Sequence, residues 1–181
     1  MTSVLAVDLG GTKTAIARVD ERGAIHDRQT LAAARSLDGS VAQVVAAARG
    51  ASAIGIVVPG VYTHATGRAW CPNLWGSAEV PLLRALRDRI DVEIFIDSDR
   101  SGYVLGEAWL GAARGFRHVV FVAVGTGIGV GILVDGSILR GAGGIAGAAG
   151  WFALDPDWKE AYGHTGCWED EADGPGVARR C

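Results

Sequence analysis

An α/β fold, with an antiparallel hairpin laid on a parallel sheet, is the class this sequence predicts. Three observations point to it. Apolar runs of strand length recur along the chain. Between them fall alanine-rich or amphipathic stretches of helical period. The elements follow the mixed order β-β-β-α-β-α-β-α-β-β, which suits neither an all-β nor an all-α domain.

Residues 3–8 read as a strand buried on both faces, because the apolar run is nearly continuous. Gly10-Gly11 turns the chain into a second strand over 14–19. A turn from Asp20 to Gly23 leads into a third over 24–31. The alanine-rich stretch 39–49 predicts a helix with Ser40 as N-cap. Residues 53–58 form a strand ending at Pro59-Gly60, and 61–79 read as irregular. A short amphipathic helix is expected over 81–90 with Pro81 in its first turn. A strand over 92–96 and a helix over 100–113, closed by Gly115, come next. Strands 119–124 and 129–134 flank Gly125-Thr126-Gly127. The chain is glycine-rich after Gly141, and its last thirty residues read as irregular.

At 181 residues the chain suffices for one ordinary domain or two small ones, and 49% hydrophobic with 20% charged residues is globular composition. A net charge of -3 lacks the basic footprint of a nucleic-acid partner. The most apolar stretch, 119–134, is too short to span a membrane and is broken by four glycines. The start, MTSVLAVD, lacks the positive n-region and cleavage site of a signal peptide. Cys71, Cys167 and Cys181 are odd in number and widely spaced, which fits reduced thiols in a cytoplasmic protein.

Two stretches share one plan. "LAVDLGGTKTAIARVDERG" and "FVAVGTGIGVGILVDGS" each run strand, Gly/Thr turn, strand, Asp-containing turn. Two ordinary hairpins would also give this pattern. Glycine turns, however, let backbone N–H groups converge on an anion, and Thr12 and Thr126 add hydroxyl donors. Neither stretch fits G-x-x-x-x-G-K-[ST] or G-x-G-x-x-G. Lys13 suits either a phosphate or a solvated strand face. In "IFIDSDRSGYVLGEAWLG", Asp97 and Asp99 lie two apart and share a face for as long as the strand lasts. A carboxylate there can take a proton from a hydroxyl, or simply cap the following helix.

Four motifs occur in the order of the ROK family of sugar kinases, which the chain resembles over nearly its whole length. They are "DLGGTKT", "VVPG", "DSDRSGYVLGEAWLGAARG" and "GTGIGVGILVDGSILRGAGGIAGAAG", with "GCWE" later. The resemblance implies an actin-like, hexokinase-like ATPase fold with a ribonuclease H-like motif, in two domains with a cleft between. It implies transfer of the γ-phosphoryl group of ATP to a sugar hydroxyl with Mg²⁺. Residues 1–98 would form the N-terminal domain and 99–181 part of the C-terminal one. Gly10, Gly11 and Thr12 correspond to the first phosphate loop, with Lys13 beside it, and Gly125, Thr126 and Gly127 to the second. Asp8 resembles the carboxylate that positions Mg²⁺ through water. Asp99, eight residues before Glu107, is the expected general base. Gly60, Asn73, Ser98 and Asp99 are the expected sugar-side residues.

The chain departs from the family pattern in four places. Ser98 stands where the family has asparagine, and so does Ser101. In "GGIAGAAGW", Ala148 and Trp151 replace a glutamate and a histidine that bind sugar hydroxyls, so ordinary glucose recognition is in question. Trp151 is expected to pack. The family's structural zinc would use positions 151, 160, 162 and 167, here Trp, Glu, Tyr and Cys, so zinc is not expected. The sequence also stops short of the family's full second domain, which predicts exposed apolar faces and self-association into a homo-oligomer. The first loop begins eight residues in, so the helix-turn-helix of the family's repressors is not expected ahead of it. The resulting expectation is a glucokinase-like enzyme acting on ATP and a small sugar. The alternative is a truncated or impaired relative that binds sugar or phosphate without transfer.

Overall fold

A computed structural model describes residues 3–181. They divide into two compact units, one ending at Asp99 and one starting at Arg100.

The first unit is a five-stranded sheet with helices. Strands β1 (Ser3–Leu9), β2 (Lys13–Asp20) and β3 (Ile25–Ala32) form an antiparallel meander. Helix α1 (Leu37–Ala47) leads to β4 (Ala53–Val58). A small hairpin, β5 (Val61–Thr63) and β6 (Arg68–Trp70), precedes the short helices α2 (Pro72–Trp75) and α3 (Leu82–Arg87), and β7 (Glu93–Ser98) completes the sheet. The sheet order is β3-β2-β1-β4-β7, with β1, β4 and β7 parallel. Leu5, Val7 and Leu9 alternate onto one face of β1 and meet Ile54, Ile56 and Val58 of β4 and Ile94 and Ile96 of β7. Val41 and Val44 of α1 and Leu82 and Leu86 of α3 belong to the same core. The other face is more open, since Gly55 and Phe95, in register with each other, are exposed.

Two sequence expectations change here. The N-cap of α1 is Ser36, not Ser40: its hydroxyl accepts the Gly39 N–H at 3.2 Å. Gly39 interrupts the helical pattern and hides the first turn. Ser40 instead lies buried in the helix and accepts the Trp75 indole N–H at 3.1 Å. The stretch 61–79 is ordered. Its strands are three residues long, too short to show a period, and Gly67, at φ +68°, turns the hairpin.

The second unit begins in α4 (Asp99–Leu110) and continues as β8 (Val119–Val124), β9 (Ile128–Val134) and β10 (Ser137–Ile138), an antiparallel sheet in the order β10-β9-β8. Helix α4 lies tight on β9: a Cβ at Gly131 would stand 2.3 Å from the Arg100 carbonyl oxygen. The last thirty residues are not irregular. After a 3-10 turn over Ala149–Trp151 come α5 (Tyr162–Thr165), α6 (Cys167–Ala172) and α7 (Gly174–Arg180). These helices span four to seven residues, below the window in which a helical period is visible. Asp173 caps α7, with Pro175 in its first turn. No helix among the described residues is long and apolar enough to cross a membrane.

Candidate functional site

In the first unit the sheet delivers a carboxylate to a glycine turn. Asp8, one residue from the end of β1, lies in register between Ala15 of β2 and Val57 of β4. Burial raises its pKa, and the nearby Lys13 ammonium partly offsets this. The turn closes through a Gly10 N–H bond to the Lys13 carbonyl at 2.9 Å. A Cβ at Gly10 would sit 2.8 Å from that carbonyl oxygen, so the tight turn requires glycine. Thr12 and Lys13 are exposed at the turn.

Asn73 faces this turn: a Cβ at Gly11 would lie 3.6 Å from the Asn73 Cβ. The Arg35 guanidinium donates to the Asn73 carbonyl at 2.9 Å, which ties α2 to the segment before α1. Two residues back, Cys71 is buried against Gly60, whose added Cβ would approach its Sγ to 3.1 Å. Burial first, then the charge of Asp99, push the Cys71 thiol up to about 12. The thiol is therefore a packed neutral group, and Asp99 is close enough to act on it. Ser98 is buried at the end of β7, and Asp99 opens α4. Asp8, Gly10, Gly11, Asn73, Gly60, Ser98 and Asp99 thus gather around the β1 turn and the 71–73 bend.

The strand ends at Ser98, so the alternation that would put Asp97 and Asp99 on one face does not reach Asp99. Asp97 accepts the Ser98 N–H at 2.8 Å and lies 3.4 Å from His64 Nε2.

In the second unit, Gly125-Thr126-Gly127 forms the β8–β9 turn. Its Gly125 N–H donates to the Gly127 carbonyl at 2.9 Å, and the Gly125 carbonyl accepts the Gly174 N–H at 2.7 Å. Gly125 and Thr126 are exposed, and a Cβ at Gly125 would meet nothing within 4 Å. Glu169, carried by α6, accepts the Ile128 N–H at 2.7 Å. A Cβ at Gly127 or Gly150 would stand 2.7 or 2.8 Å from its Oε2. Burial raises the Glu169 pKa; the Ile128 bond opposes the rise and the Asp173 charge adds to it. Arg35, Cys71 and Glu169 were missed in the sequence. Only Glu169 had a local signal, as the last letter of "GCWE". Trp151, at the end of the Ala149–Trp151 3-10 turn, is 60% exposed, contrary to the expected packing role.

Among the described residues no three His, Cys, Asp or Glu side chains converge on a metal position. A Mg²⁺ held by phosphate oxygens, water and one carboxylate needs no such cluster.

Residues 4–181 match the ROK family. The chain belongs to the ROK family. It is 32% identical to the glucokinase of Thermotoga maritima, covering 97% of this chain and 59% of that protein. It is 37% identical to the putative xylose repressor of a Caldicellulosiruptor species, over 68% of this chain and 31% of that protein. A ROK family glucokinase from Streptomyces griseus, solved with glucose and AMPPNP, superposes with a TM-score of 0.84 at 31% identity. The match covers 98% of this chain and 59% of that one. This ROK chain therefore has the mixed α/β, hexokinase-like fold and spans about three fifths of the length of those kinases.

Proposed function

We propose that this chain is a glucokinase-like sugar kinase, transferring the γ-phosphoryl group of ATP to a hydroxyl of a small sugar. The gathering of Asp8, the Gly10-Gly11 turn, Asn73 and Asp99 in one unit carries this reading, and the kinship to glucokinases supports it. The backbone N–H groups of the 10–12 turn would hold phosphate oxygens, aided by the Thr12 hydroxyl and the Lys13 ammonium; the 125–127 turn of the second unit offers N–H and Thr126 hydroxyl donors of the same kind. Asp8 would hold a bound Mg²⁺. Bound ATP and Mg²⁺ supply the phosphoryl group and neutralise its charge. Asp99 accepts the proton of the attacking hydroxyl on a carboxylate oxygen. Its place in the first turn of α4 favours the ionised form a base needs. Ser98, Asn73 and the close backbone at Gly60 orient the sugar. The cytoplasm is the proposed location, in keeping with three cysteines that form no disulfide.

A second reading is a relative that binds sugar or phosphate without transfer. Ala148 and Trp151, in place of two hydrogen-bonding side chains, favour it. A coupled ADP-release assay over a sugar panel, with Asp99→Asn in parallel, separates the two. A kinase loses roughly 10²–10⁴ of its rate in Asp99→Asn, with an unchanged circular dichroism spectrum. If no sugar gives Asp99-dependent ADP release while calorimetry shows sugar or ATP binding, the second reading stands.

A further inference from the structure

The segment that would carry a four-ligand zinc centre, by resemblance to the family, keeps one of the four ligands, Cys167, and is held by tight turns. Gly166 holds φ +88°, and a Cβ there would lie 2.4 Å from the Gly150 carbonyl oxygen. The Trp168 N–H donates to the Phe152 carbonyl at 3.1 Å, so positions 151 and 167 come close together. The donors do not fit zinc. Trp151 offers an indole N–H, which has no lone pair to give. Its ring is exposed, and so is Glu160. The Cys167 Sγ accepts the Leu154 N–H at 3.3 Å. Tetrahedral zinc needs four N, S or O ligands, and this set is short of that.

Tyr162 takes a different part. It is 3% exposed, and its hydroxyl donates to Glu171 of α6 and reaches Asp155 at 3.5 Å. Lys159 pairs with Glu171, stands 3.9 Å from Asp155, and lies over the Tyr162 ring at 5.3 Å from its centroid. Trp158 meets the same ring edge-on at 5.9 Å. Two carboxylates, one ammonium, one phenol and the Arg180 guanidinium, which pairs with Glu171, thus close around the first turn of α5 and the end of α6. Two residues before Glu171, on the same helix, Glu169 holds the Ile128 amide beside the 125–127 turn.

We propose that a metal-free brace of Tyr162, Lys159, Asp155 and Glu171 replaces the zinc knuckle, fixing α6 and, through Glu169, the 125–127 turn. Only the name phosphate loop for that turn rests on the kinase reading; the brace does not.

The test uses the whole chain purified from a zinc-supplemented culture. Mass spectrometry of the metal content is expected to show far less than one zinc per chain, and EDTA to leave the thermal midpoint unchanged. Tyr162→Phe, which removes one oxygen, is expected to speed hydrogen exchange at Ile128 and Gly129 by roughly 10-fold or more. Amides of β1 and β4 should exchange as before. Glu171→Gln, which keeps the side-chain shape, is expected to act in the same direction. The triple variant Trp151→His, Glu160→Cys, Tyr162→Cys restores the ligand set with Cys167. It is expected to bind one zinc and to regain protection at Ile128 when zinc is added. Stoichiometric zinc in the parent, a midpoint lowered by EDTA, or unchanged exchange in both single variants would overturn the brace. Absence of phosphoryl transfer would sink the kinase reading and leave these readouts unaltered.

Discussion

Gly60 sits where the backbone allows nothing larger. A Cβ there would stand 2.2 Å from the Trp70 carbonyl oxygen, which is main chain and cannot rotate away. Gly60→Ala is expected to cost about 1–3 kcal/mol in urea unfolding, as other forced overpacking does. It should also raise the KM for sugar more than that for ATP, because Trp70 leads directly into Cys71 and Asn73. Glu169 gives a prediction in pH. Its folded pKa lies above the ordinary glutamate value, mainly through burial, so the folded state holds the proton more tightly than the unfolded one. The stability it contributes is complete below the unfolded value and is lost as pH rises through the folded one. Glu169→Gln keeps an acceptor for the Ile128 N–H and removes the titration. The variant's thermal midpoint relative to the parent should therefore climb as pH rises above the ordinary glutamate range. A flat difference would contradict the burial of this carboxylate. The residues singled out from the sequence that the structure brings together, Asp8, Gly10, Gly11 and Asp99, lie inside short motifs. Arg35 and Cys71 were illegible because what matters about them is a contact with a distant part of the chain.

Among the elements, α1 shows how a helix start is misread. Ser36 caps it and Ser40 does not, although both precede alanine-rich sequence. Ser36→Ala is expected to lose about 1 kcal/mol of stability with an unchanged urea m-value. Ser40→Ala acts by another route, leaving the half-buried Trp75 indole N–H without its acceptor, for a loss of roughly 1–3 kcal/mol. A double-mutant cycle of Ser40→Ala with Trp75→Phe separates the two accounts. The second substitution should cost little once the first is made, whereas additive losses would mean that the bond contributes nothing. The long strands and α4 were readable because apolar spacing persists over six residues or more. The β5–β6 hairpin and α5–α7 were not. They are too short for a period, and tertiary partners hold them: the Ala69–Val80 bridge for β6, and the Tyr162 cluster for α5 and α6.

For the molecule as a whole, the fold class was legible from element order, but which faces remain uncovered was not, since burial depends on every neighbour at once. Val120, Val122 and Val124 alternate along β8 onto one face, and Val120 is 67% exposed. β8 is also an edge strand, so unpaired backbone groups run beside that apolar face. Trp109, Leu110 and Phe116 are exposed in the same unit, and Phe95 is exposed in the other. Exposed apolar side chains along a strand face drive association, and an open strand edge gives it a template. Sedimentation velocity on the chain is expected to show association that grows with protein concentration. Added salt should not weaken it, because apolar contact is not screened as charge pairs are. The Val120→Lys, Val122→Lys double variant places two charges on the exposed face and none in the core. It should shift the distribution toward monomer and lower the fluorescence of a bound hydrophobic dye, with the circular dichroism spectrum unchanged. A parent chain that stays monomeric across the concentration range would show that these valines are exposed without being adhesive. The uncovered face of β8 would then be an ordinary surface, and the homo-oligomer expected from the sequence would have no basis there.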